Sequence, residues 1–304
     1  MSLTKKTEGL ASQQCIVPPR IALGVEYLGT PYCGWQYQHH ALSVQQVLEE
    51  ALAQVADQPV RVHCAGRTDA GVHAIEQVVH FETTAMRPER AWTLGVNAHL
   101  PDEVAVRWAR PVASGFHARF SAVARHYRYL ILRRPARSAL WHRRAFWTHR
   151  ALSVAPMREA AAALIGRHDF TSFRALACQA KSPVRTLRYL DLSERGDLLV
   201  LNVGADGFLH HMVRNLVGVL LAIGRGERPA DWAAELLALR DRAHAGVTAP
   251  AHGLYLVRVD YPAAFGLPSA ADDAGAAALG GDDLGFDGPG HDDRGPDENP
   301  PAML

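Results

Sequence analysis

The amino-acid sequence predicts an α+β fold made of two similar halves with antiparallel or mixed sheets. Three observations lead there. A chain of 304 residues fits two modest domains or one large one. Its 48% hydrophobic, 21% charged and 8% aromatic content is that of a folded protein and argues against a fibrous, disulfide-scaffold or wholly disordered chain. The periodicity reads strand, helix, strand, loop, strand with short connections and then repeats the idea. That order suits helices on one face of an antiparallel or mixed sheet better than a doubly wound parallel sheet.

The elements follow in order. After a polar leader at residues 1–19, Arg20 to Glu26 reads as a strand and Thr30 to His40 as a Gly/Pro/aromatic loop. Ser43 and Gln46 have the capping-box spacing, and Val44, Val47, Leu48, Ala51, Leu52 and Val55 recur on one helical face. A strand at Val60 to Ala65, a loop at Gly66 to His73 and a strand at Gln77 to Glu82 come next. In the second half, Ala124 to Leu132 alternates as a strand. Pro156 to Ile165 is a helix with proline near its start and Gly166 beyond its end. Thr186 to Leu192 and Leu198 to Gly204 are strands, Val213 to Ile223 a buried helix, Asp231 to Arg240 an amphipathic one, and Leu254 to Asp260 a closing strand. The expected division is a leader at 1–19, an N-terminal α+β domain at 20–110, a C-terminal one at 111–267, and an acidic tail at 268–304. The tail has scarcely any large apolar residues, so disorder is expected there.

Net charge is +1, but the tail holds nine acidic side chains against Arg294 alone, so the rest of the chain carries +9. A basic body invites a polyanionic partner. Cys15, Cys33, Cys64 and Cys178 show no paired spacing, so neither a disulfide framework nor a zinc site is expected, and a reducing cytoplasm fits. No apolar core follows the basic residues Met1 to Lys6, and the longest apolar run, Leu216 to Ile223, is far short of the roughly 20 residues of a membrane helix.

Two segments carry most of the chemistry. Arg107 to Arg150 contains eleven arginines and no acidic residue, with Phe116, Phe120, Tyr127 and Tyr129 interleaved. Guanidinium groups pair with phosphate and stack on bases, so this composition suits RNA, against the plainer reading of a solvated basic surface. The other segment is G-R-T-D-A-G-V-H-A at Gly66 to Ala74, which would place Arg67 and Asp69 on a short glycine-flanked loop at a sheet end. Thr68, Asp69 and Gly71 are also turn formers, so a purely structural Asp69 stands beside a catalytic one.

The second segment resembles the signature of the tRNA pseudouridine synthase A family, in which the Asp of R-T-D-A-G-V-H is the catalytic carboxylate. Further similar pieces are G-T-P-Y-C-G-W-Q-Y-Q at Gly29 to Gln38, F-H-A-R-F-S-A at Phe116 to Ala122 and R-H-Y-R-Y at Arg125 to Tyr129. D-F-T-S-F-R at Asp169 to Arg174, F-L-H-H-M-V-R-N at Phe208 to Asn215 and G-L-Y-L at Gly253 to Leu256 complete the set. The resemblance spans about residues 20 to 262, and the acidic tail is the main departure from it.

The resemblance implies paired ferredoxin-like or RRM-like units around a central RNA-binding cleft. It also implies a homodimer and conversion of uridine to pseudouridine at positions 38, 39 and 40 of the tRNA anticodon arm. It makes Asp69 the catalytic carboxylate, Arg214 its cationic partner, Arg67 an aid to base flipping, Tyr127 the aromatic stacked on the uracil and Leu254 an apolar lid. It assigns RNA contacts to Arg87, to Phe116, His117, Ala118, Arg119 and Phe120, and to Ala177, Cys178, Gln179, Ala180 and Lys181. No cofactor and no metal are expected. The adjacent pairs His39–His40 and His210–His211 would point to opposite faces of a strand, and no zincin or zinc deaminase motif is present. A non-catalytic RNA-binding module and a synthase with another RNA target are the competing readings.

Overall fold

Ten strands run side by side in the order β4-β1-β3-β10-β5-β9-β8-β7, with β2 beside β3 and β6 beside β5. The strands are β1 (Arg20–Tyr27), β2 (His63–Cys64), β3 (His73–Glu82), β4 (Val104–Val112), β5 (Ala124–Arg133), β6 (Phe146–Thr148), β7 (Gly166–Asp169), β8 (Val184–Arg195), β9 (Leu198–Ala205) and β10 (Leu254–Asp260). The helices are α1 (Val44–Ala56), α2 (Val154–Ala163), α3 (Met212–Gly224) and α4 (Trp232–Leu239). This computed structural model describes residues 19–268. Nearly all of the expected leader and of the acidic tail therefore lies outside the described residues.

The sheet is mixed: β10 pairs with β3, and β5 with β6, in parallel, and the other pairs are antiparallel. Alternation along the central strands separates two cores. Tyr127, Tyr129, Ile131, Leu199, Leu201, Val203, Leu254 and Leu256 join the apolar faces of all four helices in the main core. Leu130, Leu132, Val200, Ile75 and Tyr255 point the other way and are covered by Trp141 and Ala145.

The sequence places the principal elements and misses several. Ser43 caps α1, accepting from the Gln46 N–H at 3.3 Å, as its spacing predicts. The expected strand at Val60 to Ala65 shrinks to β2, because the Val62 N–H is taken by the Glu49 side chain at 3.0 Å. β4, β6 and β7 and a short π-helical turn at Ala91–Gly95 are additions to the expected elements. Residue 110, the expected boundary, falls inside β4.

The strands β1 to β4 and β5 to β9 join in one continuous sheet through the last strand, β10. β10 pairs with β3 only at Tyr255↔His73 and Leu256↔Ala74. Farther along, the same edge of β3 is taken by β2, through His63↔His80 and Cys64↔Val79. The sheet thus parts between β3 and the β10–β5 pair. The loop connecting β2 to β3, residues 65–72, sits at that parting.

Candidate active site

The loop is held from three sides. The Gln77 amide clamps Gly66, donating to its carbonyl at 2.6 Å while its oxygen accepts the Gly66 N–H at 3.4 Å. Tyr27 and Thr68 share a buried hydroxyl hydrogen bond of 2.8 Å, and the Trp35 N–H donates to the Thr68 carbonyl at 3.0 Å. Gly34 permits that approach, since a Cβ there would stand 2.8 Å from the Thr68 oxygen. The Val72 N–H closes a turn onto the Asp69 carbonyl at 3.1 Å, with Gly71 at φ +78° in its third position. Such a turn favours glycine, and it leaves the Asp69 side chain directed outward.

His73, the last polar residue of the motif, ties the surroundings together. Its Nδ1 accepts from the Gly29 N–H at 3.0 Å, so the proton sits on Nε2, which lies 3.0 Å from the Arg143 carbonyl and 3.2 Å from that of His252. Burial pushes its pKa down to about 4, keeping the ring neutral.

Asp69 meets the first turn of α3. Arg214 Nη1 donates to Asp69 Oδ2 at 2.8 Å, and Arg214 Nε donates to the Ala249 carbonyl at 2.8 Å. His211 Nε2 lies 3.3 Å from Oδ2 and His210 Nε2 lies 3.5 Å from Oδ1. The two imidazoles are 4.1 Å apart and converge. This corrects the expectation that neighbouring histidines diverge. They occupy the turn entering α3, not a strand, and His211 has a left-handed φ of +61°. Their donor atoms and the carboxylate lie within 4.8 Å of one another, a spacing that a metal ion could bridge. Arg214 already holds Oδ2, however, so a dication would have to sit beside a fixed guanidinium charge.

The cluster opens into a cavity of about 1360 Å³ at the parting of the sheet. Its lining includes Arg61, Arg67, Arg119, Arg125, Arg185 and Arg214 against only Asp69 and Asp206, so the walls attract an anion. Tyr127 and Leu254 both line it, on strands β5 and β10, and both are nearly buried. The Tyr127 hydroxyl lies beneath Gly66, 3.7 Å from where a Cβ would stand, and its ring meets Phe208 edge-on at 5.1 Å. Burial raises the Tyr127 pKa and pushes the Cys64 thiol up to about 12, so neither supplies an anion near neutrality.

The remaining expected residues divide. Arg67, His117, Arg119, Phe120, Ala177, Cys178, Gln179 and Ala180 line the cavity, and Phe120 is 75% exposed. Phe116 and Ala118 are fully buried, which leaves their side chains no surface for RNA. Phe116 packs against Tyr261 and Phe265, while the Ala118 N–H donates to His80 Nδ1 at 3.1 Å. Lys181 is exposed but outside the lining, and Arg87 lies elsewhere, donating to the Val55 carbonyl at the end of α1.

The arginine tract is also not one RNA-facing band. Arg107, Arg110, Arg133 and Arg150 form ion pairs with Glu26, Glu89, Glu194 and Glu227. Arg125 is spent on the carbonyls of Ala65, Arg119, Ala122 and Asp206. Acid-free in sequence, the tract finds its acids in other elements.

Sequence reasoning missed Arg61, Arg185 and the convergence of His210 and His211. A signal for the last existed: positions 210 and 211 stand four and three residues before 214, the spacings that gather side chains on one helical face.

Comparison with known proteins adds to this geometry. The family model described as tRNA pseudouridine synthase matches residues 24–121 and 160–262. A tRNA pseudouridine synthase A from Nitrosococcus oceani is 59% identical over 249 residues, covering 82% of this chain and 96% of the relative. The Pseudomonas aeruginosa protein of the same name is 57% identical over 250 residues, covering 82% and 88%. Among solved structures, a chain of a Cbf5-Nop10-Gar1 complex aligns with a TM-score of 0.35 and 12% identity, covering 78% of this chain and 48% of that one, a likeness too weak to carry an argument.

Proposed function

This chain belongs to the tRNA pseudouridine synthase A family, and from that premise we propose that Asp69 is the carboxylate on which its reaction turns. The protein is an isomerase acting on uridine in tRNA. Its reaction breaks the bond from uracil N1 to ribose C1′, turns the base and rejoins it through C5, with no net redox change and no group donor. An ionised carboxylate serves that sequence by attacking C1′, by adding to the base ring, or by removing a ribose proton.

One observation supports the assignment above the others. Asp69 is paired at 2.8 Å with Arg214, in a cavity whose other charged walls are almost all positive. The guanidinium fixes the direction of the carboxylate, while the exposed Arg67 and Arg119 remain to meet phosphate. In this reading the target nucleotide is extruded from its stack, at a cost of about a few kcal/mol. Arg67 enters the gap, and Tyr127 and Leu254 hold the uracil from two sides. The RNA backbone runs past Arg119, Phe120 and the 177–180 segment.

The same reading assigns the target to positions 38, 39 and 40 of the anticodon arm. It takes the protein to act in the cytoplasm as a homodimer with each tRNA spanning both subunits. The site choice is tested by incubating purified protein with an unmodified tRNA transcript bearing uridines at 38 to 40 and elsewhere, then mapping pseudouridine by reverse-transcription stops. Modification confined to 38–40 is expected. Modification only at other positions overturns the site choice but keeps the chemistry, and no modification anywhere overturns the assignment of Asp69 as well.

A further inference from the structure

We propose that His211 is the base that removes the C5 proton after the uracil has rejoined the ribose, with His210 relaying that proton to water. The inference rests on the reading of Asp69 as the reacting carboxylate. Pseudouridine carries C1′ on C5, where uridine carried hydrogen, so a proton has to leave C5 in every version of the reaction.

Chemistry fixes where the acceptor has to stand. If Asp69 engages C6, C5 is the next ring atom. If it engages C1′, that carbon becomes bonded to C5, and if it takes a proton from C2′, C5 is two bonds away. The acceptor therefore lies beside the carboxylate. His211 Nε2, 3.3 Å from Oδ2, and His210 Nε2, 3.5 Å from Oδ1, are the imidazole nitrogens within 4 Å of Asp69 among the described residues. The other groups near the site are poor acceptors: arginines are already protonated, Cys64 is pushed up to about 12, and Tyr127 is raised by burial. His63 and His117 belong to a different cluster around His80, where His117 Nδ1 accepts from the Arg119 N–H.

His211 is favoured over His210 by placement. It is 30% exposed against 46%, and its left-handed backbone, uncommon for a residue other than glycine, turns the ring toward the carboxylate. Burial lowers its pKa, with His210, Arg214 and Arg242 pushing the same way and Asp69 opposing, so the ring is a free base at neutral pH.

The step balances. The C5–H bond breaks and its electron pair forms the C5=C6 double bond. The pair thereby displaced goes to N1, or leaves with the Asp69 carboxylate where that had added to C6. The proton goes to His211 Nε2, and N1 gains one in exchange for the lost ribose, so nothing is oxidised or reduced.

The test uses single turnovers on tRNA carrying 5-deuterated or 5-tritiated uridine. His211→Asn keeps a residue that tolerates the left-handed backbone. It should slow C5–H loss by about 100-fold or more, enlarge the deuterium isotope effect, leave tRNA affinity unchanged, and recover partly in imidazole buffer. His211→Gln should behave alike and serves where His211→Asn does not fold. In the wild type the rate should fall at some pH below about 6.5, the ordinary imidazole value, since an imidazolium accepts no proton. That acid limb should vanish with either substitution.

Unchanged release in a folded variant, or slowed release with neither a larger isotope effect nor imidazole rescue, would show that His211 only positions Asp69 and would overturn the proposal. An acid limb that persists unchanged in both variants would also overturn it. If the wild type itself releases no tritium, the failure belongs to the underlying assignment of Asp69.

Discussion

At the residue scale, His73 shows how one buried imidazole holds three segments around the site. Its neutral ring accepts from Gly29 and faces the carbonyls of Arg143 and His252, an arrangement that a second ring proton would break. Its folded pKa of about 4 lies below the ordinary 6.5, so between those values the unfolded chain binds the extra proton. Stability contributed by His73 is therefore full above about pH 6.5 and is lost as pH falls toward 4, at most by about 1.4 kcal/mol per pH unit. His80, pushed down to about 3 by burial and by His117, His63 and Arg20, acts in the same direction over a range reaching lower. Urea unfolding of the wild type should show a midpoint that falls as the pH is lowered from neutrality to about 4.5. His73→Gln should be less stable at neutral pH and show a shallower fall. Parallel pH profiles for the two proteins would remove His73 from this role.

At the element scale, the turn from Asp69 to Val72 converts sequence into site geometry. Gly71→Ala forces an L side chain into φ +78°, costing about 1–2 kcal/mol, and should shift Asp69 relative to Arg214. We expect kcat to fall at least tenfold with tRNA affinity retained, measured by tritium release beside filter binding. Unaltered kcat would mean that the turn tolerates the strain without moving Asp69. Local chemistry of this kind is what the sequence exposes. The Ser43 cap, the helical stripe of α1, and the R-T-D-A-G loop are written within a few residues of themselves. The short β2 is hidden because the competing partner, Glu49, lies on another element. β4 is hidden where an arginine-rich stretch begins, since the ion-pair partners of its arginines, Glu26 and Glu89, lie outside it. The pairing of Asp69 with α3 spans 145 positions, and only the motif resemblance anticipates Arg214 there. The two histidines beside it are legible as helical spacing, but only once the turn into α3 is recognised in place of a strand.

At the scale of the whole molecule, charge placement outweighs charge total. The chain sums to +1, yet six arginines and two acids line the cleft where β3 parts from β10. Binding of tRNA should weaken steeply with salt through counterion release. Arg119→Ala should lower the salt slope by about one, while Arg125→Ala, which strips four carbonyls of their donor, should chiefly lower the melting temperature. Equal salt slopes for wild type and Arg119→Ala would move the RNA path away from that loop. The central claim, that the Asp69 carboxylate in a cationic cleft does the chemistry, is tested most directly by Asp69→Asn. Asparagine keeps the shape and suits the turn, but loses the charge and most of the nucleophilicity. Tritium release from C5-labelled uridine in tRNA should disappear, and tRNA binding on the same preparation should persist or tighten slightly. Release at the wild-type rate from Asp69→Asn would contradict the account.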